Sequence, residues 1–380
     1  MEGLAAKMVI CLVGYGRIGR ITARILAEKG FPPIVYDSSR YRVELARRDG
    51  FESHLADSTN PHVASHIASS CEAILTALPG RIAERVITLL VEYKAPLIVD
   101  VSFVRDPLAF HSRALENRIK LFVDAGFAPG LSNMLVAHGA RGLDSAVEAI
   151  VYVGGISAEA EREPLGLVAS WSTMDLLEEY SRPARAKLRG RLVELDPIDD
   201  AVEVELPGLG RFDAMPTDGL RTLLTSYPSI ETLVEYTLRY PGHVNVLKTL
   251  KRLGLLDNKP HVIAGCSVAP RELLARLLEE ILPKQDDRIV LHVTVKGIAN
   301  NKRVERVYTI DVKQRDLDID YPVLAYATSI VHAWTAMQAL RGWGHPGVNT
   351  PEELAPALRD LARELSSRGI QLRRRECIES

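Results

Sequence analysis

The chain has 380 residues, a net charge of -2 and 25% charged residues, an ordinary globular composition with room for two domains that each carry a core. That balance excludes a general nucleic-acid or membrane-surface binder, which needs a basic excess, and the short run Arg373-Arg374-Arg375 is read as solvated. No apolar run is long enough to cross a bilayer. The first strand is expected within ten residues of Met1, leaving no room for a signal peptide, so a cytoplasmic protein is expected. Cys11, Cys71, Cys266 and Cys377 form no CxxC pair and are read as free thiols in a reducing compartment.

Met8 to Val13 is a short apolar run of the kind that forms a buried strand. It is followed at once by Gly14-Tyr15-Gly16-Arg17-Ile18-Gly19, and then by Ile18, Ile21, Ile25 and Leu26 at helical spacing up to Gly30. Strand, glycine turn and helix in succession suit a dinucleotide pyrophosphate. Gly14 serves the tight turn, Gly16 the approach of the backbone to phosphate, and Gly19 the packing of helix on strand. The helix N-terminus adds N–H groups and the positive end of its dipole. A second strand, Pro33 to Tyr36, ends at Asp37, placed 18 residues after Gly19 to take the adenine ribose hydroxyls. Asp37 favours NAD over NADP because its charge repels a 2′-phosphate; Arg40 nearby is the group that could meet one.

Helical and strand patterns then alternate: Arg42 to Asp49 helical, Cys71 to Leu78 a strand, Arg81 to Tyr93 helical, Leu97 to Phe103 and Leu121 to Ala125 strands. This predicts an α/β domain with a doubly wound parallel sheet, whose ligands bind beyond the carboxyl ends of the strands. Ala77, Leu78 and Pro79, then Val101, Ser102 and Phe103, then Asp124 and Gly126 stand at three such ends. His62 and His66 are spaced i, i+4, but no HExxH pattern or third ligand accompanies them, so no metal is expected.

Pro129-Gly130 reads as a joint before a helix to Gly142. Strand-like runs then follow at Ala146–Gly154, Leu192–Leu195, Ala201–Leu206, Val234–Arg239, Arg288–Ile298 and Val304–Val312, the last two joined by a hairpin through Lys296 to Lys302. Runs without regular helices between them predict a second domain with a mixed sheet, supplying substrate contacts and a dimer face. Tyr321 to Leu340 is too apolar for a helix with one exposed face and is expected to return over the nucleotide domain; Pro351 to Arg368 is a final helical stretch. The expected domains are 1–128, 129–320 and a C-terminal segment 321–380 that packs back on the first.

Val123-Asp124-Ala125-Gly126-Phe127-Ala128-Pro129-Gly130-Leu131-Ser132-Asn133 and Thr237-Leu238-Arg239-Tyr240-Pro241-Gly242-His243 carry a resemblance, together with the strand ends above and Glu178 to Arg185. The chain resembles the saccharopine dehydrogenase-like superfamily over nearly its whole length, and within it L-lysine 6-dehydrogenases. The resemblance implies a Rossmann-type domain that binds NAD, a second α/β domain for catalysis and dimerisation, and a homodimer or higher homo-oligomer. It also implies oxidative deamination of the ε-amino group of lysine to 2-aminoadipate 6-semialdehyde and ammonia. Saccharopine or carboxynorspermidine dehydrogenases are the alternatives within the family. A non-catalytic nucleotide-binding protein is the alternative outside it.

With an amino-acid substrate, a carboxylate clamp and a proton acceptor are needed. Arg239, at a strand end, is the candidate clamp, against an interface ion pair. His243 is a candidate proton relay or a helix cap, and Asp124 a candidate base or a structural carboxylate in the Gly126 turn. Asp218 is a candidate ammonium ligand or a turn former, and Trp171 a pocket wall or core residue.

Overall fold

The structure is a computed structural model and describes residues 8–159 and 165–378. It divides into two compact units: the described residues of Met1–Leu131 with Ala325–Ala357, and those of Ser132–Leu324 with Leu358–Ser380.

In the first unit β1 (Ile10–Val13), β2 (Ile34–Asp37), β3 (Ser53–Leu55), β4 (Ala73–Thr76), β5 (Leu97–Asp100) and β6 (Lys120–Phe122) alternate with helices. The helices include Arg17–Glu28, Arg40–Arg48, Pro61–Ser70 and Gly80–Glu92. A returning strand, Gly347–Asn349, adds to β6. The sheet order is Gly347–Asn349, β6, β5, β4, β1, β2, β3, with every pairing parallel. The chain winds outward in opposite directions from β1 and β4, so the topological switch lies between them, where a doubly wound sheet opens its ligand crevice. Strands buried on both faces explain the near-continuous apolar runs; Val13, Ile74, Ile98 and Leu121 pack with Ile87 and Leu90 of helix Gly80–Glu92.

Cys11 and Cys71 are disulfide-bonded, with 5.9 Å between their Cα atoms, which corrects the expectation of four free thiols. Cys71 ends helix Pro61–Ser70 and leads into β4, the direct neighbour of β1, so sheet pairing brings together two positions 60 residues apart. No local spacing announces such a bond. Cys266 and Cys377 are free and exposed. His62 and His66 are both exposed, and among the described residues no group of three His, Cys, Asp or Glu could hold a metal.

The apolar stretch near the C-terminus forms helix Val323–Leu340, of which Ala325 onward belongs to the first unit. Ser329 Oγ donates to the Ile18 carbonyl at 3.0 Å, and His332 Nε2 lies 3.0 Å from the Val99 carbonyl. The following stretch differs from the single helix expected over Pro351–Arg368. Pro351–Ala357 is a 3-10 segment containing Pro356, whose missing N–H breaks an α-helical ladder, and the α-helix proper is Leu358–Ser367.

The second unit is built on β7 (Ser145–Ser157), β8 (Ala184–Leu188), β9 (Arg191–Leu195), β10 (Val202–Leu206), β11 (Gly210–Pro216) and β12 (Thr232–Arg239). The hairpin β13 (His261–Ile263) and β14 (Cys266–Val268) stands apart from its sheet; the long pair β15 (Asp287–Ala299) and β16 (Lys302–Lys313) belongs to it. The sheet runs β10, β11, β12, β7, β15, β16 and the edge strand Arg373–Ile378, with β8 and β9 attached beside β12. It is mixed: β12 and β7 are parallel, the other pairings antiparallel. β15 and β16 turn through Asn300 and Asn301, both left-handed at φ 51° and 60°, as a two-residue hairpin of primed type requires. The basic run Arg373-Arg374-Arg375 is exposed, yet it is a strand on β16, and helix Leu358–Ser367 lies in this unit too. The C-terminal segment 321–380 is therefore divided between the units rather than returning whole to the first.

Candidate active site

In the first unit, the glycine turn between β1 and helix Arg17–Glu28 has the construction a pyrophosphate site needs. Gly14 has φ +98°, and a Cβ there would lie 2.4 Å from the Ala77 carbonyl oxygen. A Cβ on Gly19 would lie 2.0 Å from the Gly14 carbonyl oxygen, so any side chain would force helix and strand apart. At Gly16 the space is open: the nearest atom to a Cβ would be Arg42 Nη1, 4.0 Å away. Gly16 is also the N-cap of the helix, and no side chain caps it. Arg17 and Ile18 are half-buried in the first turn.

Asp37 ends β2 almost fully buried. Its Oδ2 accepts from the Tyr15 N–H at 2.7 Å and its Oδ1 from the Ser39 N–H at 2.8 Å, so it also braces the glycine turn. Arg42 rather than Arg40 is the cation beside it, with Nη1 3.7 Å from Oδ2. Ala77, Leu78, Val101 and Phe103 are half-buried and Pro79 is exposed at the ends of β4 and β5. Ser102 Oγ joins those two ends by accepting from the Leu78 N–H at 3.1 Å. Gly126 is buried, with Val101 Cγ2 3.3 Å from where its Cβ would stand.

Asp124 has φ 51° and is 1% exposed. The Gly126 N–H bonds to its main-chain carbonyl at 2.8 Å, a backbone bond that helps close the turn. Asp100 is its buried neighbour: burial, with the charge of Asp124 adding to it, pushes the Asp100 carboxyl up to about 7 against hydrogen bonds from Thr76 and Ser102.

The second unit holds a buried polar chain. Glu235, Thr237 and Arg239 alternate along β12 and therefore share one face, all three buried although Leu238 on the other face is apolar. Tyr180, just after helix Thr173–Glu179, links Arg239 to His243, the first residue of helix His243–Arg252. Arg239 Nε donates to Tyr180 Oη at 2.9 Å, and Tyr180 Oη lies 3.1 Å from His243 Nε2. His243 Nδ1 lies 3.1 Å from the Leu165 carbonyl oxygen, which can only accept, so Nδ1 carries the proton and Nε2 accepts from Tyr180. Burial, then the charge of Arg239, push His243 down to about 3; it is a neutral ring and not a relay titrating near neutrality. Nor does it cap its helix: Asp213 does, accepting from the Gly242 and Val244 N–H groups at 3.0 and 2.9 Å.

Arg239 does not offer the free bidentate fork expected of a carboxylate clamp. Its Nε is committed to Tyr180, Nη1 donates to the Leu238 carbonyl at 2.9 Å, and Nη2 faces Glu179 Oε2 at 3.4 Å. Asp218 lies with Gly219 in a turn, one of its two expected places, and both of its oxygens accept from Arg185, at 2.8 and 3.0 Å. Trp171 packs half-buried against the core of this unit.

Glu179 and Glu235 are functional candidates that only the structure brings out. Glu179 Oε1 accepts from Thr237 Oγ1 at 2.7 Å, and its side chain retains 20% exposure beside a guanidinium that is 3% exposed. Glu235 is 4% exposed and is pushed up to about 8 by burial, then by the charges of Glu179 and Asp218. The signal in the sequence was the alternation Glu235, Thr237, Arg239: three polar residues at period two beside β-branched and apolar neighbours.

Comparison with known proteins bears on both units. Residues 126–370 match the Saccharopine dehydrogenase C-terminal domain, and residues 10–108 match the TrkA-N domain. An alpha-aminoadipic semialdehyde synthase of Arabidopsis thaliana is 27% identical over 237 residues, which are 58% of this chain and 22% of that protein. The chain thus spans about a fifth of that relative. Carboxynorspermidine synthase of Vibrio cholerae is 23% identical over 266 residues, 65% of this chain and 61% of that protein. In fold, the chain superposes on apo saccharopine dehydrogenase (L-Glu forming) of Saccharomyces cerevisiae with a TM-score of 0.78 at 17% identity, covering 97% of this chain and 100% of that one. With that C-terminal domain matched over more than half of this chain, the chain belongs to the saccharopine dehydrogenase-like family.

Proposed function

We propose that this chain is a nicotinamide-dependent dehydrogenase that oxidises a C–N bond of an amino acid, and specifically that it deaminates the ε-amino group of L-lysine to 2-aminoadipate 6-semialdehyde and ammonia. The observation that carries the reading is Glu179. It is a partly exposed carboxylate held by Arg239 and Thr237 among buried polar groups, in the unit that matches the Saccharopine dehydrogenase C-terminal domain. The relatives, an aminoadipic semialdehyde synthase and a carboxynorspermidine synthase, support chemistry on amino acids and amines.

The glycine turn fits a dinucleotide: Gly16 leaves open the space a phosphate needs, and Asp37 stands at the end of β2. We assign NAD to it, held by Gly14, Gly16, Arg17, Ile18, Gly19 and Asp37 and by the ends of β4 and β5. NAD, when bound, accepts the hydride. The residues of the chain do the rest. Glu179 takes the proton of the substrate ammonium, which frees the nitrogen lone pair that drives hydride loss from the adjoining carbon. Arg239 holds Glu179 and Tyr180 in place, and neutral His243 fixes the Tyr180 hydroxyl.

The protein is assigned to the cytoplasm, where nicotinamide cofactors are supplied, with the Cys11–Cys71 bond kept from reductants by burial of both residues. A homo-oligomer through the second unit is supported by Leu273, Leu277 and Ile281, exposed along one face of helix Pro270–Ile281, and by exposed Val262 and Ile263 on the β13–β14 hairpin. The deciding experiment follows nicotinamide reduction with lysine, saccharopine and carboxynorspermidine compared side by side, each with NAD and NADP. Lysine turnover with NAD is expected. Turnover of saccharopine or carboxynorspermidine alone moves the chain to that reaction, and cofactor binding without turnover of any amine overturns the enzymatic reading.

A further inference from the structure

Behind Glu179 the second unit contains a line of oxygen atoms between two carboxyl groups. Glu179 Oε1 lies 2.7 Å from Thr237 Oγ1, Thr237 Oγ1 lies 3.3 Å from Thr217 Oγ1, and Thr217 Oγ1 lies 3.5 Å from Glu235 Oε1. One end is partly exposed at Glu179; the other three residues are buried. The loop after β11 closes tightly over Glu235, since a Cβ on Gly219 would fall 1.5 Å from its Oε1. The other oxygen of Glu235 is buried with no hydrogen-bond partner among the described residues.

Counting protons along this line decides where they sit. Three O···O contacts need three protons, and two threonine hydroxyls supply two. Thr237 gives its proton to Glu179, which faces the Arg239 guanidinium and accepts. With Glu235 ionised, Thr217 donates to it and the contact between Thr217 and Thr237 has no proton. All three contacts are filled at once only if Glu235 brings a proton of its own, Thr217 then donating to Thr237.

We propose that Glu235 is a buried carboxylic acid that stores a proton for Glu179 and delivers it through Thr217 and Thr237. In the transfer, the Glu235 proton passes to Thr217 Oγ1, the Thr217 proton to Thr237 Oγ1, and the Thr237 proton to Glu179 Oε1. Three O–H bonds break and three form; Glu235 ends as the carboxylate and Glu179 as the acid. Glu179 can thereby accept a proton from an ammonium group and also donate one to a departing nitrogen at the same pH. That role for Glu179 rests on the reaction proposed above; the protonation of Glu235 does not. The groups facing Glu235 agree with the count: Glu179 and Asp218 disfavour a second negative charge, burial disfavours it more, and Arg221 and Thr217 only partly offset them, so the acid form persists to about pH 8.

The test has a spectroscopic arm and a kinetic one. Infrared titration of the whole protein, read as the difference between wild type and Glu235→Gln so that the raised Asp100 carboxyl cancels, is expected to show a carboxylic acid C=O band at neutral pH that disappears as the pH rises through about 8. Absence of that difference band at neutral pH overturns the proposal. Thr237→Val, which keeps shape and removes the hydroxyl, should lower kcat roughly 10- to 100-fold with KM little changed, while Thr237→Ser restores most of it. Equal kcat in the Val, Ser and wild-type proteins refutes the relay. If no amine is turned over, the assigned reaction fails, and the infrared band alone decides whether the proton resides on Glu235.

Discussion

The Nε of Arg239 donates to the hydroxyl of Tyr180 across 2.9 Å, and this bond ties the end of β12 to the helix that carries Glu179. With Nη2 toward Glu179 and Nη1 on a backbone carbonyl, the guanidinium organises its neighbours. Arg239→Ala leaves Tyr180 without its donor and Glu179 without its cation. Breaking such a buried pair costs on the order of 3–5 kcal/mol, so urea unfolding should show a clear loss together with lower kcat/KM. Arg239→Lys should recover only part, because an ammonium has no Nε and no planar fork. Wild-type stability in the Ala variant would contradict this role.

Gly19 and Gly16 should respond differently to alanine. Gly19→Ala places a methyl group 2.0 Å from the Gly14 carbonyl oxygen and must move backbone, so both the melting temperature and NADH binding should fall. Gly16→Ala meets nothing nearer than Arg42 Nη1 at 4.0 Å, so the fold should survive while NADH affinity drops roughly tenfold or more from crowding at the pyrophosphate. Thermal unfolding and NADH fluorescence titration separate the two effects; undiminished binding by Gly16→Ala would place the nucleotide elsewhere.

Asp37 Oδ2 and Arg42 Nη1 stand 3.7 Å apart, and under the proposed assignment cofactor preference is expected to turn on them. Arg42→Ala should lower kcat/KM for NADP about tenfold more than for NAD, since a charge-assisted contact to the 2′-phosphate contributes about 1.5–3 kcal/mol. Asp37→Ala should weaken NAD more, and should also loosen the glycine turn by freeing the Tyr15 N–H. Parallel losses for both cofactors in Arg42→Ala would show that this arginine does not reach the ribose.

His332 is buried with Nε2 3.0 Å from the Val99 carbonyl, and burial pushes it from 6.5 down to about 4. A lowered histidine stabilises the fold fully above the unfolded value and loses that contribution as the pH falls through the folded one. The window is therefore about pH 6.5 to 4, and the effect is on the order of 3 kcal/mol. Raised acids such as Asp287, at about 6, and Asp100, at about 7, change in the opposite sense, so the histidine is read as a difference. His332→Gln, which keeps a donor for Val99, should show a smaller fall in urea stability between pH 7 and pH 4.5 than the wild type. Identical slopes would mean that His332 is not held neutral.

The Cys11–Cys71 bond closes a loop with a sequence separation of 60, and restricting the unfolded chain to that extent stabilises by about 4 kcal/mol in the chain-entropy account. Thiol titration in denaturant should find two reactive cysteines before reduction and four after it. Cys71→Ala should lower stability by a few kcal/mol, with reduction then having no further effect. Four thiols in the unreduced protein would show that the bond does not form.

The nucleotide unit was legible in the sequence because its information is local. A buried strand, a glycine turn and an amphipathic helix each follow from neighbouring residues, and alternation of the two periods predicts a parallel sheet. The mixed sheet of the second unit was also foreseen, from strand patterns without helices between them. The Cys11–Cys71 bond was not, because it depends on β4 lying beside β1, and the division of 321–380 was not, because Arg373–Ile378 gains its partner only from the exposed edge of β16. The polar chain was half visible: Arg239 and His243 stand in a recognisable stretch, whereas Glu179, Thr217 and Glu235 acquire their roles only where β11, β12 and helix Thr173–Glu179 meet. Residue type determined which side chains could bear charge. Burial and the neighbours that folding supplies decided which of them hold a proton: His243 became a neutral ring, and Glu235 is an acid that persists to about pH 8.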